Sequence, residues 1–292
     1  MIKPQPKKAF SLAELLVIIL ILSIYLLIHL PAYKNAKAKA KLLTSMENQR
    51  QIAIALNSFA LDNDQSYPPS IAAPITNNSF WNEPTILTAV EPPQNQKHRS
   101  VAAFLSPYLK NPTVFHSPAI PKKNPYLKKA FNDADNWNCP ETAATADSFY
   151  ASYCLWWNYT AHLPDTNSAF IGPPNATMTR YTSKLLVSDS LTFNHWQTPN
   201  KFASSQKFNQ SAALTTARTL STDFWTLDCQ NTSKLAEIKI TLTAAFTDTH
   251  VIKYSPAQCQ PLKTILASPK KYPIPKNLNP QTLYIPKKNL SP

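Results

Sequence analysis

The sequence predicts an α+β protein: one long N-terminal helix, apolar enough at its start to cross a membrane, packed on an antiparallel β-sheet head with long Pro-rich loops. Three observations predict it. From Leu15 to Leu30 nothing is charged, and from Phe10 the run reaches the ~20 residues that span a bilayer as a helix. Beyond it Leu42, Met46, Gln49, Ala53, Leu56 and Ala60 recur at spacings of three and four, with Ile52 and Phe59 widening the stripe. Toward the C-terminal end Ala236–Thr247 alternates, with Ile238, Ile240, Leu242, Ala244 and Phe246 on one face and Lys239, Thr241 and Thr243 on the other.

In chain order, residues 1–9 are a basic segment with Lys3, Lys7 and Lys8, and residues 10–30 the membrane half of the helix. Residues 31–61 continue it as an amphipathic extension. Pro31 removes one helix hydrogen bond and should bend the rod without ending it. From Phe10 to Leu61 such a helix is roughly 75–80 Å long at 1.5 Å per residue. Lys34, Lys37, Lys39 and Lys41 sit just beyond the span, and Asp62-Asn63-Asp64 breaks the helix before Tyr67-Pro68-Pro69. The head occupies residues 62–268. Its first part is Pro-rich and weakly periodic, with a short helix expected near Val101–Leu109. Ser148–Tyr159 and Lys184–Phe193 read as strands. Asp248-Thr249-His250 turns the alternating strand into Val251–Tyr254 as a hairpin. The tail, residues 269–292, carries Lys270, Lys271, Lys276, Lys287 and Lys288 with six prolines and no acid. Proline at that density predicts an extended, exposed segment. With Tyr272 and Tyr284 it could hold an anionic polymer through charge contacts and stacking.

Hydrophobic residues make up 43% of the chain, enough for a packed core and too many for a disordered protein. With 27 prolines and a single glycine, Gly172, the left-handed turn positions fall to Asn and Asp. The net charge of +13 favours anionic partners: phospholipid headgroups, nucleic acid or acidic polysaccharide. Cys139, Cys154, Cys229 and Cys259 stand in no CxxC and lack metal-ligand spacing. Their order suggests the pairs Cys139–Cys154 and Cys229–Cys259 in an oxidising compartment, with free buried thiols as the alternative.

No catalytic constellation is visible. The six histidines are scattered, and one glycine can build neither a P-loop nor a GxSxG elbow. Ser204-Ser205-Gln206-Lys207 is an SxxK match of a length that arises by chance. Asp133-Ala134-Asp135-Asn136 offers calcium oxygens, but without the glycine and distal Glu of an EF-loop it reads as a solvated turn. The chain is therefore expected not to be an enzyme and to need no cofactor.

The remaining question is Glu14, a carboxylate near the start of an apolar segment, where a lone charge is costly. A cleaved secretory signal, with Ala36-Lys37-Ala38 as the cut site, leaves Glu14 where hydrophobicity should begin. A plain signal anchor leaves it unexplained. The stretch Lys7-Lys8-Ala9-Phe10-Ser11-Leu12-Ala13-Glu14 resembles the processing site of type IV prepilins and type II secretion pseudopilins. That family has a small residue before the cut, a Phe after it, a Glu one turn on, and often a Pro near the end of the apolar run. Here Ala9, Phe10, Glu14 and Pro31 hold those places, Ala9 replacing the usual Gly. The resemblance implies cleavage at Ala9–Phe10 by a prepilin peptidase, N-methylation of Phe10, and a single-pass protein of the inner membrane with its head exported. It also implies partners: other pilin or pseudopilin subunits and an assembly platform. The new amino group of one subunit would pair with Glu14 of its neighbour, which is cheaper than two isolated charges and sets the register of stacked helices. "ALNSFALDNDQSYPP", "LSPYLKNPTVFHSP" and "AAFTDTHVIKY" resemble, in order, segments of the large pseudopilin-like proteins of planctomycetes and their relatives, with Thr249 in place of a Gly and Ser117 in place of a Cys. They imply a pilin-like head. The rival is a single-pass envelope protein whose head binds a ligand or polysaccharide without polymerising.

Overall fold

The computed structural model describes residues 11–73, 81–89, 99–120, 126–132, 149–177, 183–195, 198–209, 212–215, 224–228, 235–264 and 281–287. The chain divides into two compact units, Met1–Leu43 and Thr44–Pro292.

Helix α1 (Leu12–Asp62) is a single helix of 51 residues that runs through Pro31. Its first half is long and apolar enough to cross a membrane by length and composition, and its most apolar stretch has no buried residue. Within the second unit the same helix is one-sided. Ser45, Gln49, Ile52, Ala53, Leu56 and Ala60 are buried, whereas Ile54 and Leu61 are exposed. The expected three-and-four stripe is present, with Ser45 added to it. The helix stops where predicted: Asp64 and Gln65 adopt positive φ, and Gln65 N–H donates to Ala60 O at 2.8 Å.

Among the described residues the strands form three antiparallel sheets. The smallest joins β1 (Ile86–Ala89), β2 (Arg99–Ser100) and β3 (Phe149–Tyr150), next to the short helices α2 (Val101–Leu105) and α3 (Leu127–Asn132). A four-stranded sheet contains β4 (Tyr153–Leu155), β7 (Leu185–Asp189), β12 (Leu242–Phe246) and β13 (Val251–Tyr254), in the order β13-β12-β7-β4. An eight-stranded sheet takes β5 (Thr160–Leu163), β6 (Ser168–Ile171), β8 (Leu191–His195), β9 (Thr198–Ser204), β10 (Ala213–Thr215), β11 (Phe224–Asp228), β14 (Cys259–Lys263) and β15 (Thr282–Pro286). Its order is β10-β11-β9-β8-β15-β14-β5-β6. The body is therefore α+β and sheet-rich.

Several elements differ from expectation. Lys184–Phe193 is two strands in two sheets, β7 and β8. At Ser190 the backbone leaves one ladder for the other: its N–H donates to Ser205 Oγ and its carbonyl accepts from Ser204 Oγ and Ser205 N. Ser148–Tyr159 likewise divides into β3 and β4. The expected strand from Ala236 begins only at Leu242, after a 3-10 turn at Leu235–Glu237. Leu242–Phe246 is buried on both faces, because the sheet is covered on both sides and its ladder needs no polar face. The hairpin to Val251–Tyr254 forms as predicted, paired from Leu242↔Tyr254 to Ala245↔Val251.

The tail requires correction. Thr282–Pro286 is not an exposed strip but β15, an inner strand of the eight-stranded sheet between β14 and β8. Leu283 and Ile285 alternate into the core, and Pro286 stands at the strand end, where its missing N–H costs little. Lys270, Lys271, Lys276 and Lys288 lie outside the described residues.

Scarcity of glycine is answered as expected at five turns, where Asp64, Asn158, Asn167, Asn194 and Asn200 take positive φ. Gln65 and Thr249 do so as well, and the β-branched Thr249 at φ 66° is the strained one. The one glycine is kept for space. A Cβ on Gly172 would lie 1.7 Å from the Trp156 carbonyl oxygen, while Gly172 N–H donates to Tyr159 O at 2.8 Å. Replacing Gly172 by Ala must therefore displace backbone, and we expect a loss of about 3 kcal/mol from overpacking. Thermal unfolding of the two proteins side by side reads this out; equal midpoints would show that the Trp156–Tyr159 turn can slide away.

Candidate functional site

Of the residues singled out at the processing site, Lys7, Lys8, Ala9 and Phe10 lie outside the described residues. Glu14 is described, and it has a partner within its own chain. Ser11 N–H and Ser11 Oγ donate to Glu14 Oε2 at 2.9 and 3.0 Å, and Glu14 N–H donates back to Ser11 Oγ at 3.2 Å. This reciprocal pair is a capping box. Both bonds from Ser11 fall on Oε2, and Oε1 takes neither. The signal was present in the sequence as Ser-x-x-Glu before an apolar run. Pro31 lies within α1.

The most concentrated chemistry in the described residues lies where α1 enters the head. Asp189, the last residue of β7, is wholly buried. Its Oδ2 accepts from Thr243 N–H at 2.6 Å and Thr243 Oγ1 at 2.7 Å. Its Oδ1 accepts from Gln206 Nε2 at 3.0 Å and, at the long limit of 3.5 Å, from Ser45 Oγ and Ser205 Oγ. From the helix, Gln49 Nε2 donates to Thr243 Oγ1 at 2.8 Å, and Ser45 Oγ shares a hydrogen bond with Tyr153 OH at 3.0 Å. Gln206 Nε2 also reaches Ser45 Oγ at 2.9 Å. One carboxylate thus ties together α1, β7, β12 and the segment after β9, and Ser45 extends the group to Tyr153 of β4. No cation pairs with Asp189 among the described ion pairs. Burial pushes its carboxyl up to about 6, against the pull of the hydrogen bonds from Gln206, Thr243 and Ser205. Burial and the Asp189 charge push the Tyr153 phenol upward in turn.

Farther along, the helix end is strapped to the hairpin. Tyr67 OH donates to Asn57 Oδ1 at 2.7 Å, and Asn57 Nδ2 donates to Thr247 O at 2.8 Å. Such an arrangement can carry load between helix and head, but it presents no nucleophile. Ser204 Oγ donates to Ser190 O, and Lys207 Nζ sits 4.9 Å from the Trp225 ring centroid, so the SxxK residues do not converge. A second polar pair, His195 Nε2 with Glu83 Oε1 at 2.8 Å, is largely buried beside Phe224.

Cys154 and Cys259 carry free, buried thiols in this structure, and Cys139 and Cys229 lie outside the described residues. Burial pushes both described thiols up, Cys259 to about 12, which makes them poor nucleophiles. Asp133 and Asp135 are also outside the described residues. Among the described residues no group of three or more His, Cys, Asp or Glu is placed to hold a metal ion.

Asp189 generates a pH prediction. Its folded value, about 6, lies above its ordinary value of 3.8, so the stability it contributes is whole below about pH 4 and is lost as pH rises through about 6. The charged form costs ~3 kcal/mol relative to the neutral one across that window. Asp189→Asn keeps an oxygen for the two Thr243 donors, and the Gln206 amide can turn its oxygen to the new NH2. Relative to wild type, Asp189→Asn should therefore gain stability between pH 4 and pH 7. Denaturant unfolding at both values tests it, and a pH-independent difference between the two proteins would refute the buried charge.

No protein-family model matches the chain, and no curated protein or solved structure is similar to it.

Proposed function

We propose that the chain is a prepilin-like structural subunit, cleaved between Ala9 and Phe10 and assembled through α1 into a type IV pilus-like or type II secretion-like filament. The observation that carries this reading is the two-part character of one helix. Leu12–Asp62 is apolar and exposed over its first half, while from Ser45 onward one face is buried in a sheet-rich head. A helix built for one bilayer crossing has no need of a further buried stripe on the same rod; a subunit that anchors a head through its own assembly helix does. Lys7, Lys8 and Ala9 before the cut and Phe10 after it supply the processing motif on this reading. The partners on this reading are the prepilin peptidase, other subunits and an inner-membrane assembly platform, with the head exported. The work is mechanical, and no cofactor enters it.

Assembly on this reading joins the free amine of Phe10 to Glu14 of a neighbouring subunit. Glu14 Oε1 takes no part in the capping box and is the atom for that contact. The same capping box favours the rival reading too, since it accounts for Glu14 inside one chain. A single-pass envelope protein that never polymerises would need nothing more.

Two measurements separate them. Mass spectrometry of protein purified from its host should find Phe10 as the first residue, methylated on its amine; retention of Met1–Ala9 would sink the prepilin reading. The second is Glu14→Gln, which keeps an oxygen for both Ser11 donors and removes only the charge. Co-expressed with wild type, Glu14→Gln should insert and fold normally yet enter filaments at least several-fold less often. Equal incorporation would leave Glu14 as a helix cap and favour the non-polymerising protein.

A further inference from the structure

Within Met1–Leu43 the polar residues are not spread evenly. Lys34, Lys37, Lys39 and Lys41 fall within eight residues of α1, directly after the apolar run, and no acid occurs between Glu14 and Glu47. Lys34, Lys37 and Lys39 are exposed, and Lys41 is half-buried. At 100° per residue Lys34, Lys37 and Lys41 share one face and Lys39 lies opposite, so positive charge surrounds the helix. Charges spaced three and four residues apart on one face repel each other and weaken the helix that carries them. No Asp or Glu stands between these lysines in the sequence.

Depth supplies the complement. Counting 1.5 Å per residue from Leu30, the last apolar residue before Pro31, Lys34 stands about 6 Å and Lys37 about 10 Å farther along the axis. The headgroup layer on each side of the hydrocarbon is roughly 5–8 Å thick. Lysine stems can lie back along apolar surface and bring the ammonium of Lys39 and Lys41 toward the same layer. Tyr33, 65% exposed, occupies the position just before the first lysine, where amphipathic aromatic rings favour the interface.

We propose that Lys34, Lys37, Lys39 and Lys41 form a collar that binds anionic phospholipid headgroups at the end of the span and holds the helix at a set depth. The collar rests on the membrane-spanning reading of α1, and it holds for either orientation, because it follows the span in chain order whichever way the helix inserts.

The experiment uses the full chain in bilayer nanodiscs of phosphatidylcholine with and without phosphatidylglycerol, followed by native mass spectrometry of the lipids retained. Wild type should retain phosphatidylglycerol in preference to phosphatidylcholine, and that preference should fall as sodium chloride rises. Each single Lys→Gln change should weaken retention about fivefold. The quadruple variant K34Q/K37Q/K39Q/K41Q should show no preference. Equal phosphatidylglycerol retention by wild type and quadruple variant overturns the proposal, as does a wild type with no preference. Displacement of the lipid by inorganic phosphate, beyond the effect of sodium chloride at equal ionic strength, would assign the collar to free phosphate and also overturn it. Alkaline extraction of native membranes separates the two levels. Wild type released by extraction means that the spanning reading has failed. Wild type that stays integral but lacks the lipid preference means that only the collar has failed.

Discussion

The second unit is organised around a carboxylate taken wholly out of water, with no cation to answer it among the described ion pairs. A bare carboxylate in such a place is held only by donors, and the chain brings five to Asp189 from three separate segments. Ser45 belongs to α1, Ser205 and Gln206 follow β9, and Thr243 lies in β12. None of these segments is near another in sequence. Each must reach its place for the others' contacts to be complete, so the group penalises partial assemblies more than it rewards the full one. That is also why the helix docks in one register. Sliding α1 by one turn would put Lys41 or Gln49 where Ser45 stands and Ser45 or Ala53 where Gln49 stands, so the bonds these two residues make to Asp189, Tyr153 and Thr243 would be lost as they are. The apolar residues Ile52, Leu56 and Ala60 supply most of the burial, but a smooth apolar stripe alone would not choose among registers.

A shortage of glycine shapes the rest of the head. Five turns use Asp or Asn in left-handed conformations, which their short polar side chains tolerate. This solution works for torsion but not for contact. Where the chain after β6 passes against the Trp156 carbonyl, a side chain of any kind is excluded, and there the single glycine is found. Thr249 shows the cost of the general rule. Its hairpin turn needs positive φ and receives a β-branched residue, held by Thr249 N–H donating to Phe246 O and by His250 stacked on Phe246.

Legibility in the sequence followed the range of the interaction. The helix, its stop at Asp62-Asn63-Asp64 and the hairpin at Asp248-Thr249-His250 were readable because period and turn chemistry are local. Strand breaks at Ser190 and at Ala151-Ser152 were not, because the hydrogen bonds that redirect the chain come from distant residues such as Ser204 and Ser205. Asp189 looked like one polar residue in the run "KLLVSDSLTF", and Ser45 like the polar side of a stripe. Their pairing spans more than a hundred residues, and neither carries a local mark. Thr282–Pro286 was misread for a different reason. Proline is dense over the tail as a whole, whereas this strand carries only Pro286, at its end, and keeps an alternating Leu283 and Ile285. Ser11-x-x-Glu14 is a local signal, although a charge in an apolar segment invites a distant partner before a near one.

That near partner changes what a charge contact at Glu14 can achieve. The start of α1 has N–H groups without helical acceptors, and in apolar surroundings each needs an answer. Ser11 and Glu14 satisfy two of them, and a carboxylate there also faces the positive end of the helix dipole. Glu14 is thus already accommodated before any second chain arrives. On the assembly reading a neighbouring ammonium must then compete with bonds the carboxylate already makes, so the net stability it would add is small, as for buried ion pairs in general. Its effect falls on geometry instead. Only one oxygen is left without a Ser11 bond, and it can be reached from a limited set of axial positions. On the assembly reading, the capping box and the intersubunit pair are complementary: the first makes the lone chain tolerable in a bilayer, and the second makes one stagger between chains preferable to the rest.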